Sequence, residues 1–243
     1  MTAVGICAAL PQEARAVAGL TPRIGDQRRL PGGHLLAVAG MGAARARMAG
    51  MRLLDAGATS LISWGTAGAL APGLDSGTLV IPDRVVDSVG QVFITDAAWR
   101  DRMLRHADDR LLQTSPGILA QAGEVIRTPG EKRHLHQRLG AVAVDMESVS
   151  IAQLAREAEV PFVVVRAVTD TACMSIPGSV THATDAAGRI HLLRLLSGVL
   201  HNPAEVIALV RLAKGFRAAT AALATFAGSA GNFFLSPCPA ASA

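Results

Sequence analysis

Short apolar runs alternate with stretches whose apolar positions recur every three or four residues, and this rhythm organises the whole chain. Residues 4–9 have the pattern of a buried strand, after which Pro11, Gln12 and Glu13 open a helix with proline near its first position. A second run, 34–39, leads into Gly40, Met41 and Gly42 and then an Ala- and Arg-rich helix that reaches Ala56. A third, 60–64, leads into Gly65, Thr66, Ala67 and Gly68. The pattern over 78–93 is less regular, punctuated by Pro82 and Gly90, and predicts a strand pair at the other side of a sheet. Residues 95–106 read as helix or loop, 108–117 as a polar connection, 117–127 as a strand, and 128–138 as a basic helix begun by Thr128 and Pro129.

The stretch 141–170 is the most informative. AVAV stops at Asp145, Met146 and Glu147, FVVVRAV stops at Thr169 and Asp170, and Ile151, Leu154, Ala155 and Ala158 mark a helix between them that ends before Pro161. A strand, helix, strand unit of this kind predicts a parallel pair whose carboxyl ends share one sheet edge, so Glu147 and Asp170 are expected to face one crevice. Residues 171–188, rich in small and turn-forming types, read as a lid or loop. Two closing helices are expected, 187–200 and a longer one with Asn202 as N-cap, Pro203 at its first position and Glu205 completing a capping box. On the latter, Arg211, Lys214 and Arg217 recur opposite a stripe of Ile207, Val210 and Ala213, which suits a solvated face or contact with an anionic membrane.

Composition narrows the class. With 243 residues, half of them apolar, few aromatic and none Tyr, the chain fits one α/β domain whose core is built from Ala, Val, Leu and Ile. The expected fold is a single three-layer domain over 1–227, with a mixed, largely parallel central sheet flanked by helices, followed by a poorly ordered tail over 228–243. Cys7, Cys173 and Cys238 match no disulfide or metal spacing and suit a reduced, cytoplasmic interior. No signal-peptide pattern opens the chain, and no uncharged run approaches the ~20 apolar residues of a membrane span. The net charge of +4 is scattered, without a binding motif or stacking platform, so no nucleic-acid partner is expected.

Candidate chemistry gathers where strands end. AGMGAARA has the setting of a dinucleotide fingerprint but carries Arg45 where the third glycine belongs, which argues against a Rossmann dehydrogenase. Backbone N–H groups at such a glycine turn, Gly42 among them, still suit an anion or a sugar hydroxyl, and Thr66 between glycines offers a hydroxyl to the same end. Glu13, Glu147 and Asp170, taken singly, have plain structural explanations as first-turn or capping acids. Together with two glycine turns, they describe the polar crevice in which open α/β sheets bind ligands. The histidines show no metal spacing and Ser63 sits in no nucleophile elbow, so neither a metal nor a covalent nucleophile is expected.

GICAALPQEA, AGMGAARA, SWGTAGALAPG, VAVDMES and PFVVVRAVTD, in this order, resemble the nucleoside phosphorylase and methylthioadenosine/S-adenosylhomocysteine nucleosidase superfamily over about residues 3–170. ITDAAWRDRML, TPGEKRHLHQRLGAVAVDMES and LLSGVLHNPAEVIALVRLAKG look like its hopanoid-associated branch, taken to release adenine from adenosylhopane. The resemblance implies that Asp170 donates a proton to adenine N7 with Thr169 beside it, that Glu147 binds the ribose hydroxyls with Met146 against the sugar, and that Glu13 activates water. It implies no cofactor, with phosphate as an alternative co-substrate, and a homo-oligomer acting on a small or lipid-linked adenine nucleoside. Where nucleosidases stack an aromatic residue on adenine, this chain has Ile126. Glu13 and Ser63 stand where phosphorylases place arginines, which favours hydrolysis, although Arg15, Arg45 or Arg47 remain candidates for a phosphate site. Phosphorolysis of soluble purine nucleosides and a non-catalytic nucleoside-binding module are the competing readings.

Overall fold

The first apolar run becomes strand β1 (Ala3–Ala8) and Pro11 opens helix α1 (Pro11–Ala18) in this computed structural model, which describes residues 3–178 and 205–228. The chain continues through β2 (Gln27–Arg29), a 3-10 turn at Pro31–Gly33, β3 (Leu35–Val38), α2 (Ala43–Asp55) and β4 (Ala58–Ala69). Short strands β5 (Leu79–Val80), β6 (Arg84–Val86) and β7 (Val92–Ile94) precede α3 (Ala97–Asp108), β8 (Thr114–Ser115) and β9 (Ile118–Gln121). Then come α4 (Pro129–Leu139), β10 (Ala141–Asp145), α5 (Ser148–Glu157), β11 (Phe162–Asp170) and the last described helix, α6 (Glu205–Ala227).

Local chemistry explains the boundaries. Asp96 caps α3 by accepting from the Trp99 N–H, and Thr128 and Glu131 form a reciprocal capping box at the start of α4. Gly19 and Gly140 take the left-handed conformation that ends α1 and α4. Along β11, Val163, Val165 and Ala167 face one core while Phe162, Val164 and Val168 face another, so the run is apolar on both sides. The first core joins the sheet to α1, α3 and α6 through Val17, Met103, Leu223 and Phe226. The second joins it to α2 and α5 through Leu53, Ile151 and Leu154. A mixed, mostly parallel sheet flanked by helices on both faces is the result.

Among the described residues the sheet has eleven strands, with the path β2-β3-β1-β4-β10-β9-β6-β7 and a branch from β4 through β11 to β5 and β8. β4 is therefore the strand that everything central touches. It runs parallel to β1 and β11 and then, at Gly68 and Ala69, pairs antiparallel with β10. Two expectations are corrected here. β10 and β11 are not a parallel pair: β4 lies between them, antiparallel to β10 and parallel to β11, so the two strands run in opposite directions beside it. Nor is the GTAG segment a turn after a short strand: it is the second half of the twelve-residue β4, with its glycines inside the ladder.

Other differences are smaller. The strand expected over 117–127 is confined to Ile118–Gln121, the polar connection holds the two-residue β8, and β2 and the 3-10 turn were not foreseen. On α6, the buried residues are Gly215, Ala219, Ala222, Leu223, Phe226 and Ala227. Ile207, Val210 and Ala213, read as the apolar stripe, are instead exposed. The helix expected over 187–200, the Asn202 and Pro203 cap and the tail from 229 onward lie outside the described residues. No described helix is long and apolar enough to cross a membrane.

Candidate active site

Charged side chains in the middle of an apolar strand must be paired or they would not stay buried. Arg166, within FVVVRAV, is such a case, and the sequence reading passed over it. Its only signal was a lone charge in a β-branched run. The guanidinium lies 2.7 Å from Asp145 Oδ2 and 3.7 Å from Glu147 Oε2, and donates to Ser63 Oγ at 2.8 Å and Ser148 Oγ at 3.2 Å. Burial opposes its charge, but Asp145, then Glu147 and Glu13, outweigh that and raise its pKa further.

Glu13 is 2% exposed and fully engaged. Oε2 accepts from the Ala9 and Leu10 N–H groups at 3.2 and 2.9 Å, and Oε1 accepts from Thr66 N–H and Oγ1 at 2.9 and 2.7 Å. The first-turn role read from sequence is thus real, and the same carboxylate also reaches across to β4. Gly65 makes that possible: a Cβ there would sit 2.6 Å from Arg166 Nη1 and 2.7 Å from the Glu13 carboxylate. The Trp64 indole N–H donates to the Glu13 carbonyl, fixing the start of α1 against the sheet.

Glu147 is the N-cap residue of α5, yet its side chain does not cap that helix; Asp145 accepts the N–H groups of Glu147 and Ser148. Glu147 instead accepts at 2.8 Å from the Gly42 N–H, at the mouth of α2, so the two expected partners meet across 105 positions of chain. Burial raises its pKa to about 7, Arg166 and the Gly42 N–H oppose the shift, and Asp145 and Glu13 add to it. Met146, Thr66, Gly42 and Thr169 are half-buried around these acids.

Asp170 ends β11 beyond a bulge that shifts register between Val168 and Asp170. Its carboxylate lies against the β4 backbone, where a Cβ on Gly68 would be 3.1 Å from Oδ2. Oδ1 is 2.6 Å from the Thr169 hydroxyl, which has the Ala67 carbonyl, at 3.2 Å, as its other acceptor. Oδ2 accepts at 2.5 Å from the ammonium of Lys132, a wholly buried residue of the helix that the sequence marks only as basic. Ile126 packs against the apolar cluster of Leu70, Val86, Leu135 and Val144. From Ser63 to Gly68, β4 thus carries Arg166, Glu13 and Asp170 along one line.

The candidate phosphate arginines are not gathered here. Arg47 pairs with Glu157 at 2.5 Å and Arg15 is exposed on α1; Arg45 is half-buried on α2. Cys7 is no nucleophile, since burial pushes its thiol up to about 12. Among the described residues, no group of three or more His, Cys, Asp or Glu side chains is placed to hold a metal ion.

Residues 4–200 match the model of the phosphorylase superfamily. A 5′-methylthioadenosine/S-adenosylhomocysteine nucleosidase of Anoxybacillus flavithermus is 30% identical over 157 residues, 57% of this chain and 68% of the relative. Its counterpart from Mycobacterium bovis is 26% identical over 221 residues, covering 70% of this chain and 86% of the relative. The Neisseria meningitidis nucleosidase of the same name, solved with methylthio-immucillin-A, superposes with a TM-score of 0.70 at 20% identity, covering 93% and 96% of the two chains.

Proposed function

The chain belongs to the phosphorylase superfamily, a family of enzymes, and from that premise we propose that it hydrolyses the N-glycosidic bond of an adenine riboside. The observation that carries the choice of hydrolysis is the charge of the pocket. Glu13, Asp145 and Glu147 surround one guanidinium, so a phosphate dianion would meet an excess of carboxylates, whereas water would meet bases.

The geometry supports a role for each acid. Breaking the bond builds positive charge on the ribose and negative charge on the base. Glu147, with Oε1 held by Gly42, accepts hydrogen bonds from the ribose hydroxyls and stabilises the cationic sugar, while Met146 packs on its face. Asp170 protonates the departing base with Thr169 beside it, and Ile126 supplies an aliphatic wall. Glu13 takes a proton from the attacking water. All four of its lone-pair positions are filled in the free protein, three of them by fixed backbone N–H groups. The Thr66 hydroxyl is the one donor of the four that rotates, so its turning toward substrate frees Oε1 for water.

The curated relatives are named for 5′-substituted adenosines, which supports a substrate of that class. Within it, the finer reading is adenosylhopane, processed in the cytoplasm by a homo-oligomer that rests on the membrane. Its support is the branch-like sequence segments together with the mixed face of α6, where Val206, Ile207 and Val210 are exposed beside Arg211, Lys214 and Arg217. Exposed Met48 and Met51 on α2 support contact between copies. Incubation with a 5′-alkylated adenosine, with and without phosphate, should yield adenine and a free ribosyl product at equal rates. A ribosyl 1-phosphate would establish phosphorolysis instead, and tight binding without adenine release would establish a non-catalytic module.

A further inference from the structure

Lys132 is a buried ammonium to which the roles above give nothing to do. It is 0% exposed, in the first turns of α4, and its three N–H bonds are all directed to one place. One goes to Asp170 Oδ2 at 2.5 Å, one to the Thr171 carbonyl at 2.7 Å and one to the Met174 carbonyl at 3.0 Å. The Ile176 N–H then donates to the Arg127 carbonyl at 2.9 Å, so the segment after Asp170 is laid back onto the entrance of α4. A lysine stem is costly to immobilise and its charge is costly to bury. A merely structural anchor for two carbonyls would not require the full charge to be set against a carboxylate in the pocket.

We propose that Lys132 is a positioning residue for acid catalysis by Asp170, a role that rests on the hydrolase reading above. With Oδ2 held by Lys132, the proton that Asp170 surrenders leaves from Oδ1. The Thr169 hydroxyl beside Oδ1 releases it by turning to the Ala67 carbonyl. In the step itself the Asp170 O–H bond breaks, an N–H bond forms on the base, and the electron pair of the glycosidic C–N bond passes to the base. Asp170 is left with a full negative charge at 3% exposure, and Lys132 is the counter-charge already in place. Among the described residues, the remaining buried charges, Glu13, Asp145, Glu147 and Arg166, form a separate cluster with their own pairing.

A leaving group that needs no proton separates this role from a structural one. The probes are a 5′-alkylated adenosine and the matching p-nitrophenyl riboside, compared as the ratio of their kcat/KM values. Because loss of folded protein lowers both values alike, the ratio reports only on base departure. Lys132→Met should lower the ratio about 100-fold, within the range by which general acids act. Lys132→Gln, which keeps two donors without the charge, should do the same, and Lys132→Arg should hold the ratio within about tenfold of the parent. A ratio unchanged in both Lys132→Met and Lys132→Gln overturns the proposal, as does an equal fall with Lys132→Arg. Failure of the parent enzyme to release adenine at all would instead overturn the hydrolase reading.

Discussion

Burial pushes the Glu147 carboxyl from 4.5 up to about 7, so between these values the native protein holds a proton that the unfolded chain has lost. The contribution of this group to stability is therefore complete below the unfolded value and disappears as pH rises through about 7. The groups facing it are Asp145 and Glu13, which strengthen the effect, and Arg166 and the Gly42 N–H, which weaken it. Between pH 4.5 and 7.5 the Tm of the unliganded protein should fall relative to that of Glu147→Gln, and a cationic sugar analogue should bind more tightly as pH rises through the same window. Parallel Tm curves for the two proteins would refute the shift. At this scale the acids were legible as candidates because each follows a strand closely: Glu13 in the first turn of α1, Glu147 just past β10 and Asp170 at the end of β11. Arg166 and Lys132 were illegible because their types predict surface, and only the fold shows that each buries its charge against a carboxylate.

Elements reach the site through backbone contacts as much as through side chains. Along β4, Gly65 and Gly68 leave room for the carboxylates of Glu13 and Asp170, which is why the glycines read as a turn are strand residues. A glycine inside a strand and a glycine in a turn look alike in sequence, since both mark a place where a side chain would obstruct something. The same logic applies to α6, whose Gly215 faces the Thr169 carbonyl so closely that an added methyl would overlap the oxygen. Ser76 Oγ donates to that carbonyl at 2.8 Å, so the bulge before Asp170 is held from two sides. Gly215→Ala should cost about 1–3 kcal/mol of stability, as overpacking does, and reduce kcat at least tenfold by moving the bulge. A lowered Tm with unchanged kcat would show that α6 and Asp170 are not coupled.

At the scale of the whole molecule, the alternation of runs and helices predicted the layers, and the two cores on either side of β11 account for it. Strand partners were harder to foresee, because β4 separates β10 from β11 and nothing local in either strand records its neighbour. The outward face of α6 departs from a simple solvated surface by exposing Val206, Ile207 and Val210 next to its basic residues. Charge reversal at Arg211, Lys214 and Arg217 should abolish sedimentation with anionic liposomes and slow turnover of a lipid-linked substrate while sparing a short-chain one. Unchanged liposome binding would remove the membrane reading.

The pairing of Arg166 also bears on how the chain is made. Synthesis delivers Glu13 first and Asp145 and Glu147 much later, and the guanidinium that offsets them only after another helix has emerged. Glu13 is satisfied within the N-terminal half by the N–H groups of Ala9, Leu10 and Thr66, whereas Asp145 and Glu147 lack their counter-ion until residue 166 has left the ribosome. The last central strand therefore carries the counter-charge without which the β10 end of the pocket would bury unpaired acids.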